Sequence, residues 1–186
     1  MAKRETYPMD IAGVHRDFPL FEVRPGLRLA IVNILGDNEL VLACAHALKE
    51  KLSTVDFDVI VTPETKSIPL AFALSLEAQK PYLVLRKNYK PYMGEAIQAE
   101  TLSITTGQSQ TLYLDEKDLP LVEQKRVLIL DDVISTGSTL QAMEMILQKV
   151  GAQVAAVAAI FTEGERAKWG HIVSLGHLPL FTNNQQ

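Results

Sequence analysis

The chain has 186 residues, a formal net charge of −4, 47% apolar and 22% charged side chains. This is ordinary globular composition, long enough for one domain with a core that needs no covalent staples. The acidic balance gives no electrostatic footing for nucleic acid, the single Cys44 rules out an internal disulfide, and the longest clean apolar run, 154–161, is too short to cross a bilayer. No apolar signal-type segment follows the early charges of 1–17, so a cytoplasmic protein without a membrane partner is expected.

Residues 1–25 carry Pro8, Pro19 and Pro25 and are expected to form an arm on the surface, tacked down by Phe18 and Phe21. Residues 26–32 enter a short strand. Gly36-Asp37-Asn38 is a turn and helix-cap signal. The helix that follows puts Leu40, Val41, Cys44, Ala47, Leu48 and Leu52 on one stripe, which makes Cys44 a buried, inert thiol. An apolar strand over 57–62 ends in Pro63-Glu64-Thr65-Lys66-Ser67 and gives way to a helix reaching about Gln79. A further strand, 82–85, ends at Arg86-Lys87. Helices alternating with buried strands predict right-handed crossovers and a parallel sheet.

From 88 to 99 the periodicity lapses. Residues 101–105 and 110–114 are β-prone and are joined across Thr106–Ser109, a hairpin signal. Residues 88–114 therefore read as a loop and ribbon standing off the sheet, where a lid could hang. A continuous apolar strand, 127–130, follows. The next helix, 138–150, turns Leu140, Met143, Ile146, Leu147 and Val150 inward, and Gly151 stops it. Residues 154–161 form a last buried strand, 162–170 a polar excursion and 172–181 an edge segment; 183–186 should fray.

The stretch 126–140 carries the chemistry. Asp131 and Asp132 stand where a strand buried on both faces emerges, and Ser135 to Thr139 form a hydroxyl-rich turn around Gly137 that opens a helix. Ligands of open α/β sheets bind at the carboxyl ends of strands. A small polar turn at a helix N-terminus offers free amides to a phosphate. Ionised carboxylates only accept hydrogen bonds, which suits the hydroxyls of a ribose. A ribose 5-phosphate is the ligand such a stretch is built for. The plain alternative, a charged turn with a helix cap, needs one hydroxyl or acid rather than this series.

Leu130-Asp131-Asp132-Val133-Ile134-Ser135-Thr136-Gly137-Ser138-Thr139 resembles the phosphoribosyl pyrophosphate (PRPP) motif of type I phosphoribosyltransferases, and the likeness extends over 18–165. The resemblance implies an α/β fold: a mostly parallel central sheet flanked by helices, with a flexible lid ribbon (88–114) and a small N-terminal hood within 1–35, all one phosphoribosyltransferase domain over 1–186. It implies that Asp131 and Asp132 hold the ribose hydroxyls while Ser135, Thr136, Gly137, Ser138 and Thr139 wrap the 5-phosphate. Glu64, Thr65, Lys66 and Ser67 resemble the family's pyrophosphate loop, and Arg86, Lys87 and Lys90 its basic strand end. A capped helix and a solvated charge cluster are the ordinary readings of those two stretches. A purine-type enzyme is implied: a base nitrogen attacks C1 of PRPP, pyrophosphate leaves, and Asp131, Asp132, Lys66 and Arg86 are the catalytic residues. Mg2+ would arrive with PRPP, without a dedicated metal site, and touch the protein through water or Asp131 and Asp132. A homodimer is implied as well.

The resemblance also implies a base site between Leu27 and Arg28 of the hood and Phe161, at the end of the last buried strand, with Glu163 following. An aromatic face beside a polar edge suits a heterocycle, although Phe161 as core and Glu163 as solvated surface fit equally well. Adenine-specific members carry a lid glutamate where Thr105 stands here, which leaves the base open. A PRPP-binding regulator without catalysis, and an orotate- or other-base enzyme, remain as alternatives.

Overall fold

The computed structural model describes residues 4–102 and 109–182. Strands β1 (Thr6–Ile11) and β2 (Val14–Arg24) form an antiparallel hairpin, β2 pairs with β3 (Leu27–Ala30), and α1 (Asn38–Lys51) follows. Next come β4 (Val59–Pro63), α2 (Ile68–Ala78) and β5 (Tyr82–Leu85). The ribbon strands β6 (Ile97–Leu102) and β7 (Ser109–Leu114) precede a short α3 (Leu119–Val122). The chain then runs through β8 (Arg126–Ile134), α4 (Ser138–Lys149), β9 (Gln153–Glu163), β10 (Val173–Leu178) and β11 (Phe181–Thr182).

Five of these strands form the central parallel sheet, in the order β10-β9-β8-β4-β5. Alternation along each strand splits the core in two. Ile60, Leu128, Leu130 and Ile160 pack with α1, α2 and the N-terminal strands, whereas Val59, Val61, Val127 and Ile129 pack with α4 and the ribbon. Each fully buried side chain of this size is worth about 1.5–3 kcal/mol, so the continuous apolar runs carry the sheet. The helix stripes lie as expected, with Ala45 rather than Ala47 completing the buried face of α1. Asp37 caps α1 by accepting from the Leu40 amide at 3.2 Å and is itself gripped by Arg16 of β2 at 2.7 and 2.8 Å. Cys44 is fully buried, and that burial pushes its thiol up to about 12.

Two expectations are corrected. The surface arm expected over 1–25 is not what the described residues from 4 onward form: β1, β2, β3 and β11 make a four-stranded antiparallel sheet, which includes the stretch expected as the hood. The alternation there is diluted by polar residues because one face is open to water, and Pro8 and Pro19 mask the strand signal. The ribbon also starts four residues before the expected 101, and it does not simply stand off the sheet. Ala99, Leu112 and Leu114 are buried with α4, and Arg86 pairs with Tyr113 through two backbone hydrogen bonds of 2.9 and 2.8 Å. Thr105, the ribbon turn and residues 183–186 lie outside the described residues.

Candidate active site

The order of the sheet determines where a ligand can sit. From β4 the chain adds β5 on one side, then returns to place β8 on the other, so the topology switches between β4 and β8. The crevice beyond the carboxyl ends of those two neighbours is the natural binding position of an open α/β sheet. Past the end of β4 lies Glu64-Thr65-Lys66-Ser67; at the end of β8 lie Asp131, Asp132 and the turn 135–139.

Asp131 and Asp132 are nearly buried, and the Asp131 Oδ1 accepts from the Asp132 amide at 2.8 Å. Burial pushes the Asp131 carboxyl well above the usual carboxylate range, and the adjacent Asp132 adds to the rise. Lys66 reaches across from the neighbouring strand end. Its Nζ stands 2.8 Å from Asp132 Oδ2, a charge pairing without an aligned hydrogen bond, and donates to the Val32 carbonyl at 3.0 Å. Two acids face one cation, an imbalance that a polyhydroxyl ligand and a second cation would relieve. Paired carboxylate oxygens are hard donors of the kind Mg2+ takes, so Asp131 and Asp132 fit an ion that arrives with its substrate phosphates.

Glu64 receives the Lys87 amide at 2.9 Å and lies 3.3 Å from the Arg86 guanidinium; that amide, then Arg86, holds its carboxyl below the usual range. Arg86 is thus brought against the β4 loop, while the side chains of Lys87 and Lys90 are exposed beyond it. Thr65 is exposed. Ser67 is turned inward: its hydroxyl accepts from Thr62 at 2.8 Å and donates to the Pro63 carbonyl at 3.0 Å, so the side chain is committed to the loop itself.

The turn after β8 needs Gly137 twice. Its φ of +88° favours glycine, and a Cβ there would stand 2.9 Å from the Trp169 ring. Thr136 and Ser138 share a hydroxyl hydrogen bond of 2.7 Å at the exposed mouth of α4. Ser135 points the other way and donates to Glu163 at 2.5 Å. Burial raises the Glu163 carboxyl, and the Ser135 bond opposes that rise.

Beside this turn opens a cavity of about 590 Å³. Leu27, Leu29, Val23 and Leu180 line it on the hood side, and Trp169 and Lys168 on the other. Ser135, Thr136 and Glu163 complete the lining, and Ser135 follows the acids by three residues along the chain. Two expected base residues are displaced from it. Phe161 is fully buried core: it sits over Gly176, where a Cβ would meet its ring at 2.8 Å, and meets Phe18 edge-on at 5.5 Å. Arg28 faces away because neighbours along a strand alternate, and it pairs with Glu5 at 2.5 Å. Leu29 takes the place expected for Arg28, and Trp169 that expected for Phe161. Trp169 donates its indole N–H to the Glu163 carbonyl at 2.9 Å, and Lys168 lies 4.4 Å over its ring while donating to the Thr136 carbonyl at 3.1 Å. A lone Trp inside the polar excursion 162–170 was the available signal for this wall.

Apolar cavity, hydroxyl turn, acid pair and the loop after β4 thus lie at the carboxyl ends of the central strands, an arrangement suited to an α/β protein that handles a phosphorylated sugar. Residues 32–172 match the model of the phosphoribosyl transferase domain. The adenine phosphoribosyltransferase of Thermosipho africanus is 32% identical over 152 residues, 81% of this chain and 85% of that protein. A hypoxanthine/guanine phosphoribosyltransferase of Methanotorris igneus is 38% identical over 120 residues, 63% and 62% of the two chains. The crystal structure of adenine phosphoribosyltransferase from Thermoanaerobacter pseudethanolicus shares the fold, with a TM-score of 0.67 at 20% identity over 93% of this chain and 95% of that one. The chain belongs to the phosphoribosyl transferase family.

Proposed function

We propose that this chain is a purine phosphoribosyltransferase, which joins a ring nitrogen of a purine base to C1 of PRPP and releases pyrophosphate with inversion, a purine-salvage reaction. The observation that carries the reading is a shared edge: the apolar cavity and the phosphate-type turn both use Ser135 and Thr136, with Asp131 and Asp132 alongside. The named relatives, adenine and hypoxanthine/guanine phosphoribosyltransferases, support a purine.

In this reading the purine lies between Trp169 and the leucines of β3, with the Glu163 carboxylate near its edge. Asp131 and Asp132 accept the ribose hydroxyls and fix C1 in front of the base. The amides and hydroxyls of 135–139 hold the 5-phosphate. Lys66 leaves Asp132 for the departing pyrophosphate, and Arg86 turns from Glu64 to the same charge. The transition state has oxocarbenium character, so most of the rate comes from alignment and from stabilising the leaving charge. Mg2+ bound with the diphosphate would neutralise part of that charge, with Asp131 and Asp132 as its protein-side oxygens. The reading extends to a homodimer in the cytoplasm. Exposed Leu42, Phe72 and Leu76 on α1 and α2 offer apolar surface for a second copy, and a solution mass near twice 20.6 kDa would support that.

Pyrophosphate release from PRPP and Mg2+, measured with adenine, hypoxanthine, guanine, xanthine and orotate in turn, tests the proposal. Release with at least one purine and none with orotate is expected. Silence with every purine contradicts it.

A further inference from the structure

The described strands of the ribbon end in a polar clasp. Cross-strand partners share one face, and on the face toward α4 the pairs are Ile97 with Leu114, Ala99 with Leu112, and Thr101 with Gln110. The first two pairs are apolar and pack against α4. The third grips the first turn of α4: Thr101 donates to the Ser138 carbonyl at 3.1 Å, and Gln110 Oε1 accepts from the Thr139 hydroxyl at 3.2 Å. Ser138 and Thr139 are residues of the turn assigned to the 5-phosphate, so the ribbon is fastened to the residues that the ligand would use.

We propose that Gln110 is a positioning residue that makes attachment of the ribbon depend on occupancy of the phosphate turn. This rests on the phosphate assignment made above. The two bonds of the clasp differ in kind. A hydroxyl has one proton to donate, and phosphate oxygens are acceptors. Thr139 can therefore give its proton to Gln110 or to a 5-phosphate, not to both. The charge-assisted bond to phosphate is the stronger, and partly exposed Gln110 can exchange Thr139 for water. Thr101 competes for nothing, because it donates to a carbonyl that a phosphate cannot replace. Phosphate binding thus releases β7 at Gln110 while β6 stays held at Thr101. The apolar pairs below keep the base of the ribbon docked, and the freedom gained is confined to the Gln110 end of β7.

The test uses ribose 5-phosphate as probe, since it carries the 5-phosphate without the diphosphate. Calorimetry gives its affinity, and hydrogen exchange follows the ribbon amides of 97–102 and 109–114. In the wild type, saturating probe is expected to speed exchange in the ribbon. In Gln110→Leu the ribbon exchanges fast without ligand and responds no further. The probe then binds about two- to fivefold tighter, since it no longer displaces a competing hydrogen bond. A merely structural loss would weaken binding instead. Thr101→Val, which removes the non-competing bond, should leave probe affinity unchanged and the response intact. Unchanged ribbon exchange with probe bound, weaker binding by Gln110→Leu, or equal tightening by Thr101→Val overturns the proposal. Failure of the wild type to bind the probe at all removes the phosphate assignment and this inference together.

Discussion

The two ends of strand β8 carry similar charges and use them in opposite ways. At its start Arg126 meets Asp56 and holds Asp58 through three hydrogen bonds of 2.7, 2.9 and 3.1 Å. Those bonds drive the Asp58 carboxyl far below its ordinary range. At its finish Asp131 and Asp132 share the attention of one partly exposed lysine, and burial beside a like charge drives the Asp131 carboxyl upward. One end is electrostatically satisfied and fastens β8 to the segment before β4. The other, among the described residues, pairs two acids with the single cation Lys66 and leaves Asp132 Oδ2 without an aligned hydrogen bond. Asp58 and Asp131 thus shift in opposite directions: hydrogen bonds from Arg126 lower the first, and burial, with the adjacent Asp132, raises the second.

Substitutions at the two ends should separate stability from activity. Lys66→Ala removes the cation paired with Asp132, which the proposed function assigns to the departing pyrophosphate. It should lower kcat by roughly 10²-fold, read as pyrophosphate release at saturating PRPP. Trp169→Ala removes the aromatic wall. The KM for the base should rise about tenfold through lost ring contacts, and thermal unfolding should show a cost of about 3–5 kcal/mol for the vacated volume.

The acids give pH tests of opposite sign. The Asp131 carboxyl is raised, so the folded state favours its protonated form. That contribution is present in acid and lost as pH rises through the raised value. Asp131→Asn should therefore melt higher than the wild type near neutral pH, with the gap closing on acidification. The Asp58 carboxyl is lowered, so its contribution is present above the ordinary carboxylate range and lost as pH falls. Asp58→Asn should melt lower than the wild type at neutral pH, approach it in acid, and keep its kcat. Arg28→Ala, on the far face of β3, should leave the KM for the base within about twofold of the wild type.

How far the sequence reveals this molecule depends on the signal each part carries. The apolar runs at 57–62, 82–85, 127–130 and 154–161 marked β4, β5, β8 and β9 because a buried sheet demands apolar strands, and only the strand ends, where polar residues enter, were missed. The acid pair and the hydroxyl turn read clearly because their order in the chain is their order in space. The hood did not, since its strands are half-solvated and interrupted by prolines. The cavity walls were legible only in part. Whether Leu27, Arg28 or Leu29 faces the cavity depends on strand parity, and whether Phe161 or Trp169 does depends on which ring Gly176 admits into the core. Those are facts of packing rather than of pattern.

Binding of PRPP to the carboxyl end of β8 is the centre of the account, and calorimetric titration of PRPP with Mg2+ into the wild type and into Asp131→Asn/Asp132→Asn tests it most directly. The account predicts saturable binding by the wild type and at least about a hundredfold weaker binding by the double variant, in a protein that still melts cooperatively. Equal affinity in the two proteins would contradict it.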